Sequence, residues 1–372
     1  MTRKTSKHTS NNQTSQFSLE LKTPIYDDFP VYIAGTFNNW NTADERFRMQ
    51  KVSEQIYRFT FPIGFSFSYP LEYKYVRGGW DQVEVDEYGN RTPNRVVESS
   101  KGLVKDIVPK WSSSGRGYKP QFLPKIQTIS ENFEIPQLIK TRRITALLPY
   151  NYEFTDRSYP VLYLQDGQNL FDDNAPFGSW GVDRKLAVLS EKGIGDIIII
   201  AIDHAESERV SEFTPSLQST NQRSAAGKKY VRFLADTLKP YIDKNFRTLV
   251  DSEYTGIGGS SMGGLISIYA GLMYPEVFSK LMIFSPSLWK TPRISFNPIN
   301  FYGTFDTKIY LYAGAKESKT MIPNAKRFQE MVTQKENPNF KVEFKTSIDP
   351  EGTHSEYHWG AEFPKAVEWL FF

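Results

Sequence analysis

The chain has 372 residues, with 45 Lys and Arg against 42 Asp and Glu for a net charge of +3, and no cysteine. That length accommodates two domains, and the scattered, nearly balanced charges argue against a nucleic-acid partner. The lack of cysteine excludes a disulfide framework and a thiolate metal site; with four histidines and no H-E-x-x-H pattern, neither a metal nor another cofactor is expected. No stretch approaches the roughly 18 apolar residues of a membrane helix, and no apolar core follows the first basic residues as in a signal peptide. No membrane association is expected, and the expected compartment is the cytoplasm. The oligomeric state has no signature.

In chain order, residues 1–16 are Ser, Thr, Asn, Lys and Arg with almost nothing apolar, the composition of a disordered tail. Residues 17–108 carry Phe, Tyr and Val in short alternating runs between turn signals, an all-β pattern. Residues 109–124 open on a Ser, Gly, Pro and Lys-rich run that packs poorly as helix or strand, and read as a linker. Strands then alternate with helices through residues 125–372, and the apolar run Ile197-Ile198-Ile199-Ile200-Ala201-Ile202 reads as a strand buried on both faces of a parallel sheet. The expected fold is α/β, a doubly wound and mostly parallel sheet, preceded by a β domain.

The chemistry concentrates at Gly259-Ser260-Ser261-Met262-Gly263, which fits G-x-S-x-G. Tyr254-Thr255-Gly256-Ile257 reads as a short strand before it, and Leu265, Ile266, Ile268, Tyr269 and Leu272 form an apolar helical face after it. Strand, tight turn and helix are the setting of a nucleophile elbow, in which small neighbours leave room for a strained serine. Ser261 is the candidate nucleophile. Its base must follow it in an α/β-hydrolase, which sets aside His8 and His204 and leaves His354 and His358. His354 follows a loop after the expected strand 341–345 and precedes a final helix from about Ala361, which favours it over His358. Lys308-Ile309-Tyr310-Leu311-Tyr312-Ala313 reads as the intervening strand, and Glu317 just beyond it is the candidate acid, with Asp349 in reserve. For the oxyanion, the Met262 amide is one expected donor, and the Gln168 amide, in Gln165-Asp166-Gly167-Gln168 after the strand 160–164, is the other.

On these residues the second half resembles the α/β-hydrolase esterase family that includes enterochelin esterases, feruloyl esterases and esterase D. The likeness runs over roughly 125–372. It is carried by Tyr230-Val231-Arg232-Phe233-Leu234, Leu238-Lys239-Pro240-Tyr241, the elbow, Phe284-Ser285-Pro286-Ser287-Leu288-Trp289, and Gly352-Thr353-His354-Ser355-Glu356 with Trp359. The resemblance implies His354 as base and Glu317 as acid, and Ser355 stands where the family usually has asparagine. It also points to a pocket lined by Asp166, Trp180 and Arg209, with Asp203 and Glu212 in the same charged loop. A serine esterase acting through an acyl-enzyme on an acyl ester of a sugar or small alcohol follows. A siderophore lactone is the alternative substrate, acyl transfer to a second alcohol an alternative outcome, and a non-catalytic glycan-binding protein the alternative of another class.

In the first half, Val31-Tyr32-Ile33-Ala34-Gly35-Thr36-Phe37-Asn38-Asn39-Trp40, Leu71-Glu72-Tyr73-Lys74-Tyr75-Val76 and Gly79-Trp80 are similar to early-set, immunoglobulin-like modules that bind starch and glycogen. That likeness implies an α-glucan or other glycan held by Trp40, Lys74 and Trp80, with Asn90 or Asn94 as polar help, because sugar faces stack on indoles. The same module also serves as a packing or lid domain in front of hydrolases, and both roles stay open here.

Overall fold

The computed structural model describes residues 16–25, 27–99, 102–215, 226–290, 306–333 and 341–372. The chain divides into two compact units, residues 1–118 and 119–372. Most of the expected tail, residues 1–15, lies outside the described residues; Gln16 donates from Nε2 to the Phe61 carbonyl.

The first unit is built from β1 (Ser18–Lys22), β2 (Tyr32–Gly35), β3 (Gln50–Ser53), β4 (Ile56–Thr60), β5 (Leu71–Val76), β6 (Glu84–Val85), β7 (Arg95–Val97), β8 (Leu103–Ile107) and β9 (Lys110–Trp111). They form a four-stranded sheet in the order β3-β4-β1-β8, a three-stranded sheet β2-β5-β7, and a two-stranded ladder β6-β9. Period-two alternation explains the packing. Leu19 and Leu21 of β1 with Tyr57 and Phe59 of β4 point inward, and meet Ile33, Leu71, Tyr73 and Tyr75 of the second sheet in one core. The phenols of Tyr73 and Tyr75 both donate to Asp106 Oδ2, while Arg95 holds its other oxygen. The polar tips in that core are thereby satisfied.

The expected linker needs correction. Lys110–Trp111 is a strand paired with Glu84–Val85, and Trp111 is buried in the core with its indole N–H on Thr23 Oγ1. Arg77 lies 4.4 Å over its ring. One large aromatic outweighs the breaker-rich composition around it, because burying such a ring contributes roughly 2 to 3 kcal/mol.

The second unit has β10 (Lys125–Ile135), β11 (Lys140–Leu148), β12 (Val161–Gln165), α1 (Val182–Glu191), β13 (Ile198–Ile202), α2 (Arg209–Glu212), α3 (Gly227–Phe233), α4 (Lys239–Asn245), β14 (Thr255–Ser260), α5 (Met262–Met273), β15 (Lys280–Phe284), β16 (Thr307–Gly314), α6 (Met321–Thr333), β17 (Val342–Asp349) and α7 (Glu356–Phe371). A π-helical turn, Leu234–Leu238, joins α3 to α4. The eight strands make one mixed sheet in the order β10-β11-β13-β12-β14-β15-β16-β17. β10 and β13 run antiparallel to β11, and all pairs from β13 to β17 are parallel. Val161, Tyr163, Ile198, Ile200 and Ile257 enter one core with α3, α5 and α6. The alternate residues Leu162, Leu164, Ile199 and Ala201 are equally buried toward the other face, where α1 and α7 meet.

Two boundaries differ from expectation. α7 starts at Glu356 rather than near residue 361, with Trp359 N–H on the Ser355 carbonyl closing its first turn, and it runs through Pro364. β17 extends to Asp349, because its ladder with β16 continues to Gly314.

Candidate active site

β12 and β14 are neighbours at the centre of the sheet, while the chain runs outward from them in opposite senses, so a crevice opens beyond their carboxyl ends. The candidate residues sit at the ends of β12, β14, β15, β16 and β17. Ser261 occupies the one-residue turn between β14 and α5, with φ 55° and ψ −118°. An L-residue adopts this conformation only when its surroundings impose it. Here they do: Ser261 N–H donates to the Phe284 carbonyl, and Ser287 N–H donates to the Ser261 carbonyl. The glycines around it are required by close approach. A Cβ at Gly259 would come within 3.0 Å of Gln165 and of Gly263, and one at Gly263 within 2.9 Å of Asp166 Oδ2.

Glu317 and His354 are brought together across the ends of β16 and β17. His354 Nδ1 lies 2.6 Å from Glu317 Oε2. The other carboxylate oxygen, Oε1, accepts from Gly314 N–H at 2.7 Å and from the Ser285 hydroxyl at 2.6 Å. Glu317 is 2% exposed and His354 is 43% exposed, so the carboxylate is enclosed while the imidazole opens outward. With Nδ1 engaged, Nε2 is the ring nitrogen free to exchange a proton. Ser261 Oγ lies 3.1 Å from Ser287 Oγ. Among the described residues, that is its side-chain partner, and no hydrogen bond joins it to His354.

The two alternatives weighed in the sequence are engaged elsewhere. Asp349 accepts from the Tyr312 phenol and the Glu351 amide, and His358 Nδ1 faces the Thr353 and Ser355 hydroxyls. Met262 is the first residue of α5, so its amide is among those a helix N-terminus leaves unpaired. Gln168 lies in a short turn whose bonds run from Asn169 N to Asp166 O and from Leu170 N to Gly167 O, which leaves its own N–H outside them. Its side chain bridges to both backbone groups of His204, fixing the loop after β12 against the loop after β13.

The expected pocket residues are placed differently from one another. Asp166 and Arg209 form a two-point ion pair at 2.5 and 2.7 Å. Burial opposes the Arg209 charge, and the Asp166 carboxylate more than offsets it, so the guanidinium is held above its usual pKa. Asp203 is paired with Arg143, and Glu212 with Arg142. Trp180 is a correction: at 3% exposed it stacks on Phe284 and packs against Trp359, and so supports the site from behind. Glu356, which Asn169 Nδ2 contacts, is a half-buried carboxyl whose pKa is raised by burial.

The sequence reading assigned no role to Ser285 or Ser287. A signal existed in Ser-Pro-Ser directly after an apolar strand, but which hydroxyl meets which end of the site depends on the fold.

In the first unit, Trp40 and Trp80 have ring centroids 6.2 Å apart, and Trp80 is 48% exposed. Beside Trp80, a cleft of about 370 Å³ is lined by Lys74, Glu84, Arg91 and Thr92 among others. Lys74 donates to Thr92 O, Thr92 Oγ1 and Pro93 O, which uses its three donors. Its expected sugar contact is thereby replaced by a tie to the loop before β7. Asn90 is bound to Asp86 and Asn94 to Glu72.

A mixed sheet with this crossover order and a serine turn at the end of a central strand defines an α/β-hydrolase fold. The chain belongs to the Putative esterase family, whose model matches residues 136–370. Membership makes it a carboxylic-ester hydrolase with a small-molecule ester substrate. It is 24% identical over 242 residues to the uncharacterized protein YbbA of Bacillus subtilis, covering 62% of this chain and 92% of that one. A stretch of 94 residues is 35% identical to an amylopullulanase of Thermoanaerobacterium thermosulfurigenes, covering 24% of this chain and 5% of the enzyme. The enterobactin esterase FES of Shigella flexneri superposes with a TM-score of 0.52 at 15% identity, over 97% of this chain and 94% of that one, a likeness of fold. Among the described residues no helix is long and apolar enough to cross a membrane.

Proposed function

We propose that the protein is a serine esterase that works through a covalent acyl-enzyme and takes acyl esters of a sugar or small alcohol. The observation that carries this reading is the 2.6 Å bond between Glu317 and His354 at one end of a sheet whose central strand β14 ends in a serine held at positive φ. In the reaction, Ser261 Oγ turns from Ser287 toward His354 and attacks the ester carbonyl as Nε2 takes its proton. Glu317 keeps the imidazole in the tautomer that leaves Nε2 free and stabilises the imidazolium. The tetrahedral oxyanion accepts from the Met262 and Gln168 amides. Collapse breaks the C–O bond, His354 returns its proton to the departing alcohol, and water repeats the sequence on the acyl-serine.

The alternative substrate, a polyanionic siderophore lactone, needs cations at the pocket. The pairing of Arg209 with Asp166 and of Arg143 with Asp203 weighs against it, because each cation is already neutralised. Hydrolysis of p-nitrophenyl acetate and butyrate, with fluorophosphonate labelling, tests the reading. Wild type should turn over and be labelled at Ser261, while Ser261→Ala should lose both. An unlabelled, inactive wild type overturns it. A panel of acetylated sugars beside a catecholate trilactone then separates the substrate classes, and added small alcohols report transfer in place of hydrolysis.

We further infer that the first unit binds a glycan on Trp40 and Trp80. The paired indoles, with Trp80 exposed beside a cleft and Trp40 partly buried next to it, support this, as does the likeness of part of the chain to an amylopullulanase.

A further inference from the structure

We propose that Ser285 and Trp359 are positioning residues for the acid and base, acting through one directed chain of hydrogen bonds that ends on Glu317. The inference rests on the serine-esterase reading above. Glu317 is enclosed and, among the described residues, its one ion-pair partner is His354. A buried carboxylate without a cation is stable only when donors surround it. Its Oε1 receives two, the Gly314 amide and the Ser285 hydroxyl.

The direction of the chain is fixed by valence. The Trp359 indole can only donate, and its Nε1 lies 2.9 Å from Ser285 Oγ. Ser285 therefore accepts from Trp359 and spends its single proton on Glu317. The Trp359 ring also stands edge-on to His354, with centroids 4.8 Å apart and planes at 85°. One indole thus touches the base directly and reaches the acid through one hydroxyl. The parts come from three elements: Ser285 follows β15, Glu317 follows β16, and Trp359 lies in the first turn of α7.

The Ser285 backbone adds an independent argument. It is fully buried with φ 45°, in the left-handed region where glycine or asparagine is relaxed and serine is strained. A turn with no other task would favour glycine. The strained serine is retained where its hydroxyl completes the shell of the carboxylate.

Ser285→Gly separates hydroxyl from backbone, since glycine relaxes the turn and removes only the donor. The expected result is a kcat lower by about ten- to a hundredfold with KM nearly unchanged, the consequence of one lost hydrogen bond to a charged group. Trp359→Phe keeps an aromatic ring but removes the N–H, and should lower kcat in the same sense. The double variant should be little worse than Ser285→Gly, because both act through one chain. The low-field proton resonance of the His354–Glu317 bond, read on the free protein, should weaken or vanish in Ser285→Gly. An unchanged kcat together with an unchanged resonance would overturn the proposal and leave Ser285 as a turn residue. Fluorophosphonate labelling of the wild type keeps the two readings apart. If Ser261 is not labelled, the esterase reading fails, and the resonance alone then decides whether Ser285 holds the pair.

Discussion

In the proposed mechanism Ser261 acts through its backbone as much as its side chain. Its φ is positive, and the hydrogen bonds from its own amide to Phe284 and from the Ser287 amide to its carbonyl hold the turn against relaxation. In the same proposal Glu317 contributes differently, by orientation and charge. Glu317→Gln keeps the shape but replaces an acceptor with an amide that can present N–H to Nδ1, favouring the wrong tautomer of His354. We expect kcat to fall by about a thousandfold or more, with folding judged by circular dichroism intact. Retention of more than a tenth of the activity would remove Glu317 from the acid role. The turn at Ser261 and the pairing of His354 with Glu317 were legible in the sequence because an elbow has a fixed spacing and the order of the expected partners is fixed. The hydroxyls of Ser285 and Ser287 were not, since serine is common in loops and only the fold turns one toward Glu317 and the other toward Ser261.

At the scale of elements, the elbow depends on backbone reaching backbone. A Cβ at Gly263 would meet Asp166 Oδ2 at 2.9 Å and Gln165 Cβ at 3.0 Å, both anchored at the end of β12. Gly263→Ala should destabilise the protein by about 1 to 3 kcal/mol, the usual cost of overpacking, and lower kcat by shifting the Asp166–Gln168 loop. Urea denaturation and activity check the two halves of that expectation.

The start of two interior strands offers a contrasting case. Lys280 of β15 lies directly opposite Lys308 of β16. Burial, with the neighbouring Lys308 charge, lowers its pKa from 10.5 to about 8. Between those values the unfolded chain keeps a proton that the folded one has released, so folding gains stability as pH rises from about 8 to 10.5. Below pH 8 the full penalty is present. Lys280→Met should therefore raise the unfolding free energy at pH 7 by about 1 to 2 kcal/mol, and the gain should shrink by pH 10. A variant less stable than wild type at pH 7 contradicts this. Strands such as β13 were legible as continuous apolar runs. β9 was not, because two residues beside Ser, Gly and Pro carry no period, and Trp111 decides them by burial.

For the whole molecule, the chain divides into two compact units, and the proposed glycan and ester sites fall on different ones. The family match covers residues 136–370, within the second unit. Glycan retention and ester hydrolysis should therefore be separable by mutation. Trp80→Ala should abolish retardation in amylopectin gels while p-nitrophenyl ester hydrolysis continues, and Ser261→Ala should do the reverse. Equal mobility of the wild type with and without polysaccharide would withdraw the glycan reading and leave the aromatic pair as surface packing.

The sequence by itself determined the alternation of strands and helices and the turn that strains Ser261, and it offered Glu317 and His354 as a pair. These follow from local periodicity and from the steric demands of a tight turn, which neighbours along the chain can satisfy. Only the tertiary structure decided that Trp180 lies behind the site, that Arg209 is spent on Asp166, that Lys74 is tied to its own loop, and that Ser285 reaches Glu317. Each of these depends on which groups stand opposite one another across 18 residues of chain or more. Burial makes such a pairing strong once the sheet has assembled, and no pattern along the sequence encodes it.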